Sequence, residues 1–191
     1  MLFRSIFCRW TVALLLMTAL SACVSIDSRA LKEVPAAGAT GDIRAAYWNN
    51  AFYRSRGELL GHATIAEAMH IPAANADTAY IWRESSDLLI VRFTKDGEIV
   101  AERQYKLNDG FRVDGAGRVE ISNPTECGGR DSPSFGCGWG TVTLFENADG
   151  DLAVVQSGGG AGVLGIFPIA IYAKHLSLFN RRTDAPPFNE R

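Results

Sequence analysis

The sequence predicts a mainly β protein: an antiparallel meander of about eight to ten strands, forming a barrel, half-barrel or sandwich, with one short N-terminal helix. Three observations point there. Asp-Gly occurs at 96, 109, 114 and 149, each time beside runs in which apolar and polar residues alternate, and Asp-Gly between such runs is the strongest short-range hairpin signal. The alternation has period two, which buries one face of a strand and wets the other. Helix signals gather at one short stretch, near residue 64.

In chain order, residues 42–60 hold the aromatic cluster Tyr47, Trp48, Phe52 and Tyr53, followed by Arg54, Arg56 and Glu58. The spacing of Ala45, Trp48 and Phe52 suits a helix while the aromatics favour a strand, so strand and loop are expected without periodicity deciding it. Thr64 followed by Glu67 is a capping-box pattern. Ile65, Ala66, Ala68 and Met69 give the short helix an apolar face, and Pro72 stops it.

Strands are then expected at 78–83 and at 88–94, with Leu89, Val91 and Phe93 on one face. After Asp96-Gly97, residues 98–107 set Ile99, Ala101, Tyr105 and Leu107 against Glu98, Glu102, Gln104 and Lys106. Shorter strands follow at 111–113 and 118–122, and longer ones at 139–146 and 151–157. Residues 163–173 are apolar on both faces, which suits a buried strand or one covering a ligand cavity; Pro168 within them demands an edge, a bulge or a loop. The aromatic residues are expected chiefly in the core, with an apolar cavity as the sharper reading.

Familiar chemical motifs do not assemble. Residues 160–165 fit G-x-G-x-x-G, but Pro168 and β-branched Ile166, Ile169 and Ile171 oppose the helix that a dinucleotide needs at those glycines. Gly158 to Gly162 is read as a hairpin turn or a place of close backbone packing. His62, Glu67 and His70 form no i, i+4 metal pair, and His175, Ser177 and Asp184 lack a nucleophile elbow. No catalytic residue, metal site or cofactor is therefore expected, and the chain is read as a non-enzyme.

The first residues carry a different signal. Arg4 and Arg9 precede an apolar run at 10–20, too short for the roughly 20 residues that span a bilayer as a helix, and Leu20-Ser21-Ala22-Cys23 follows. This arrangement resembles the leader and lipobox of bacterial lipoproteins. The resemblance implies a signal peptide at 1–22, removed on maturation, and a Cys23 carrying diacylglycerol and, in many bacteria, a further acyl chain such as palmitate. Two or more chains anchor a protein stably to a membrane. Val24 rather than Asp after the cysteine implies, by the same resemblance, the outer membrane, at its periplasmic face.

Maturation at Cys23 would leave 169 of the 191 residues, a length suited to one domain. The expected organisation is a lipidated cysteine and flexible tether at 23–41, a β-rich domain at 42–182 and a polar tail at 183–191. Losing the two leader arginines takes the formal net charge from −2 to −4, which argues against nucleic acid as a partner. Cys127 and Cys137 would then be the remaining thiols, and in an oxidising exported compartment a disulfide closing their Gly/Pro/Ser-rich loop is the natural expectation.

The sequence thus suggests a lipid-anchored envelope protein acting as a non-catalytic structural or interaction module with an envelope protein partner. The alternative is a lipocalin-like module for a lipid or other small apolar ligand.

Overall fold

The computed structural model describes residues 24–26, 43–54, 63–128, 134–164 and 167–186. The leader, Cys23, most of the tether and His62 lie outside them. The described strands are β1 (Val24–Ile26), β2 (Arg44–Trp48), β3 (Tyr53–Arg54), β4 (Thr78–Ser85), β5 (Leu88–Lys95) and β6 (Glu98–Lys106). They continue with β7 (Phe111–Val113), β8 (Val119–Gly128), β9 (Ser134–Glu146), β10 (Leu152–Leu164) and β11 (Phe167–Phe179), and one helix, α1 (Ile65–Ala68), stands between β3 and β4.

Two sheets result. One runs β1-β11-β10-β9-β8-β7, with β3 also on the β11 edge; the other runs β2-β4-β5-β6. Every pairing is antiparallel except that of β1 with β11. The sheets do not join into a closed barrel among the described residues; they pack face to face, half-barrel to sandwich in shape.

The alternation explains the layering. Ala45, Tyr47, Ala79, Ile81, Leu89, Val91 and Phe93 face inward from the second sheet, and Val119, Ile121, Val142, Leu144, Leu152, Val154 and Phe179 meet them from the first. These side chains fill the space between the sheets. Tyr47 Oη donates to Glu146 Oε1 at 2.5 Å, tying β2 to β9, and burial pushes the phenol pKa far above its ordinary value.

Several boundaries differ from expectation. Val24–Ile26, read as the start of the tether, forms β1 against β11. The apolar stretch 163–173 is not one strand: the β10–β11 connection falls inside it, with Leu164 paired to Phe167. Pro168 sits where β11 has β10 on one side and no described strand on the other, an edge position of the kind that a proline in a strand demands.

Gly158 to Gly162 is not a turn either; it lies within β10, and only the close-packing half of that expectation holds. The loop between the cysteines is shorter than its sequence suggested, because β8 and β9 extend through both. Cys127 stands directly opposite Cys137, Cα–Cα 4.0 Å, and the two are disulfide-bonded. Pro124 is accommodated by a register irregularity between Asn123 and Glu126.

The aromatic residues divide. Tyr47, Phe93, Phe111, Phe145 and Phe179 are buried as expected, whereas Trp48, Phe52, Tyr53 and Trp139 are exposed. The start of the polar tail packs on the outer face of the second sheet. Arg182 N donates to Ala46 O at 2.8 Å, its guanidinium lies 4.1 Å from the centre of the Trp48 ring, and Ala185 covers the Tyr80–Trp82 cluster.

Candidate functional site

The site begins with a helix of four residues, too short to hold itself together. Its first-turn N–H groups are all taken. Ile65 N donates to Asn49 O, Ala66 N to Asn49 Oδ1 at 3.1 Å, and Glu67 N to Thr64 Oγ1 at 3.0 Å. The Glu67 carboxylate accepts from Ala63 N and Thr64 N, completing the capping box that the sequence predicts. Asn49, fully buried just after β2, also donates through Nδ2 to Ala73 O and Ala76 O.

At the other end of α1, Gln156 Nε2 from β10 donates to Ala68 O at 3.2 Å. His70 then takes a left-handed φ of 52° and turns the chain beside the first sheet. The helix is a bracket that sets His70 over β10.

Below that bracket the first sheet outruns the core. The inward parity of β9 and β10 carries Val142, Leu144, Leu152 and Val154 at the core end and continues as glycine: Gly140 pairs with Gly158, Gly138 with Gly160 and Gly136 with Gly162. With no side chains on that face, the bare ladder is the floor of an open groove of about 290 Å³. Asn123, Gln156, His70, His175, Thr141 and Ser157 supply its polar lining, and Trp139 and Ala173 also line it; no Asp, Glu, Lys or Arg does.

His175 is the exceptional group. It is 7% exposed, and neither ring nitrogen has a hydrogen-bond partner among the described residues. Such a group costs about 1–3 kcal/mol relative to one that is satisfied, so the fold carries it at a loss. Burial holds the His175 imidazole below the ordinary histidine pKa, so it is neutral at pH 7 and offers one donor and one acceptor.

The linkage follows from that direction. The unfolded chain takes up a proton near the ordinary pKa of about 6.5, the native state resists it, and stability falls as pH drops below that value. His175→Leu is expected to unfold about 1 kcal/mol later at pH 7, since an unsatisfied group becomes apolar, and to lose less stability between pH 7 and 5 than the parent. Urea titrations at the two pH values check this, and an unchanged pH dependence would refute it.

The other residues singled out from sequence are not brought together. Asp184 is on Arg182 at 3.3 Å and not on His175; Ser177 shares the inward face of β11 with His175. Glu67 caps α1, and no group of three or more His, Cys, Asp or Glu positioned to hold a metal occurs among the described residues. Asn49, Asn123 and Gln156 drew no attention in the sequence. For Gln156 a signal existed: it has the parity of Leu152 and Val154, and is therefore an inward polar residue in an apolar strand. No protein-family model, no curated protein and no solved structure matches the chain.

Proposed function

We propose that this chain is a lipid-anchored protein of the cell envelope, held through Cys23 at the periplasmic face of the outer membrane, and that it works as a non-catalytic interaction module. The observation that carries the recognition role is His175, buried and unpartnered in the lining of the glycine-floored groove. Both ring nitrogens are closed to solvent, so a ligand that shifts the lining over them would recover the hydrogen bonds the free protein forgoes.

The lining defines the ligand class. Neutral donors and acceptors on Asn123, Gln156 and His175 over a flat glycine floor suit a neutral molecule rich in hydroxyl and amide groups, such as a saccharide. The lipocalin-like alternative is less favoured, because among the described residues the sheets do not close and the space between them is filled. A calorimetric titration of the whole processed protein with N-acetylglucosamine oligosaccharides tests the recognition role. Saturable binding that weakens about tenfold or more in His175→Leu, as loss of roughly 1.4 kcal/mol would give, is the expected result; no heat, or heat indifferent to that substitution, counts against it.

The anchor has its own test. In Cys23→Ser the protein is expected to leave the outer-membrane fraction, either as soluble periplasmic protein or as unprocessed chain at the inner membrane. Fractionation and the mass of the N-terminal peptide check this, and an acylated outer-membrane mutant would refute it.

A further inference from the structure

The first sheet has a second hollow, on its other face. Val142, Leu144 and Val154 point into the core, so the strand alternation turns Thr141, Thr143, Val155 and Ser157 outward. They floor a space of about 190 Å³ that Arg112, Arg118, Glu120 and Lys174 border. Thr141 and Ser157, like Trp139, border the groove as well, because one layer of strands separates the two faces and their side chains lie on this one.

The charge of this hollow is opposite to that of the chain. Three cationic side chains border it against one carboxylate, in a protein of formal net charge −2. Glu120 is taken by Arg112, and Arg118 is bound to Asp114 at 2.7 Å. Lys174 is left over. It is half-buried, and no carboxylate among the described residues lies within ion-pair distance of it. The side-chain hydroxyls of Thr141, Thr143 and Ser157 likewise have no hydrogen-bond partner among the described residues. A partly desolvated ammonium without a counter-charge is a group that a bound anion would compensate.

The register places that lysine in a row. Ser157 stands directly opposite Lys174 on one side and Thr141 on the other, so an ammonium and two hydroxyls follow one another across three strands at a spacing of about 5 Å. In the next row outward, about 7 Å along the strands, Trp139 and Tyr172 stand on either side of Gly159. They are 50% and 48% exposed, and the missing side chain of Gly159 leaves a slot between them.

We infer that this face binds a phosphate ester whose organic part carries a flat ring. The phosphate sits on Lys174, Ser157 and Thr141, and the ring lies against Trp139 and Tyr172. A phosphate carries nearly two charges and three acceptor oxygens, and so answers a row of three donors better than a carboxylate does. The faces of tryptophan and tyrosine take flat rings, and the two rows are close enough for one small molecule to bridge them. Arg112 and Arg118 keep the potential over the hollow positive. The site depends neither on the His175 groove nor on the anchor.

The test is a calorimetric titration of the whole protein at pH 7 with phenyl phosphate and, separately, with inorganic phosphate. Saturable binding is expected, with phenyl phosphate about tenfold the tighter of the two, as one stacked ring would give. Lys174→Gln should weaken both by about tenfold, whereas Lys95→Gln, at the exposed end of β5 in the other sheet, should change neither. Trp139→Leu should weaken phenyl phosphate more than inorganic phosphate. No saturable heat, or equal weakening by the two lysine substitutions, overturns the site. Inorganic phosphate bound as tightly as its ester, or a Trp139→Leu indifferent to phenyl phosphate, overturns the assignment to an ester with a flat ring.

Discussion

Asn49→Leu is expected to lower the unfolding free energy by about 4 kcal/mol, among the largest effects available from a single substitution. Leucine keeps nearly the same shape, so the loss isolates hydrogen bonding. It strands the N–H of Ala66 and the carbonyls of Ala73 and Ala76 in a site where Asn49 itself is fully buried, and each stranded group costs about 1–3 kcal/mol. The backbone bonds of Asn49 to Ile65 and Asp77 survive, which keeps the total below the sum of all its contacts. Urea unfolding followed by far-UV circular dichroism measures it; a loss under about 1 kcal/mol would show that α1 is held by its apolar face and not by this side chain. Because α1 sets His70 in place, the same substitution should also weaken ligand binding at the groove.

Gly158→Ala is expected to cost about 2 kcal/mol, while Gly138→Ala, one pair further along the same face, is expected to be neutral or to stabilise by up to about 1 kcal/mol. The contrast comes from space. A Cβ on Gly158 would stand 2.7 Å from the carbonyl oxygen of Trp139 and 3.3 Å from the Cα of Gly140, both backbone atoms that can yield only by parting the strands. A Cβ on Gly138 would meet nothing nearer than the Gly159 oxygen at 3.7 Å, an ordinary contact. Thermal melts of the pair check this, and equal losses would mean that glycine matters here for chain flexibility alone. Filling position 158 also raises the groove floor, so binding should suffer there more than at 138.

Much of the fold was legible because local chemistry and tertiary structure agree. The capping box at Thr64 and Glu67 forms as its spacing requires, and all four Asp-Gly dipeptides lie in the connections between strands. The dipeptide marks the place of a turn better than the residue that makes it. At 96–97 both members have positive φ, but in the next two turns the left-handed residues are Asn108 and Gly117.

What escaped the sequence is where glycine sits in a ladder. Glycine weakens an isolated strand, so Gly158 to Gly162 reads locally as a break, and only the flanking strands, pairing it with 136–140 and 169–173, keep it extended. The same blindness hid the site. A floor made of missing side chains has no motif, and His175 is conspicuous only once β10 and β9 are known to leave it without a partner.

The most direct measurement is the ¹⁵N spectrum of the histidine rings at pH 7, recorded before and after N-acetylglucosamine oligosaccharides are added to the whole protein. In the free protein a neutral His175 is expected, with both ring nitrogens lacking the shift changes that hydrogen bonds cause. On addition of the saccharide, both resonances should move together and saturate with the calorimetric isotherm. A His175 already protonated or hydrogen-bonded in the free protein, or one whose resonances stay fixed while saccharide binds, would contradict the groove as the recognition site.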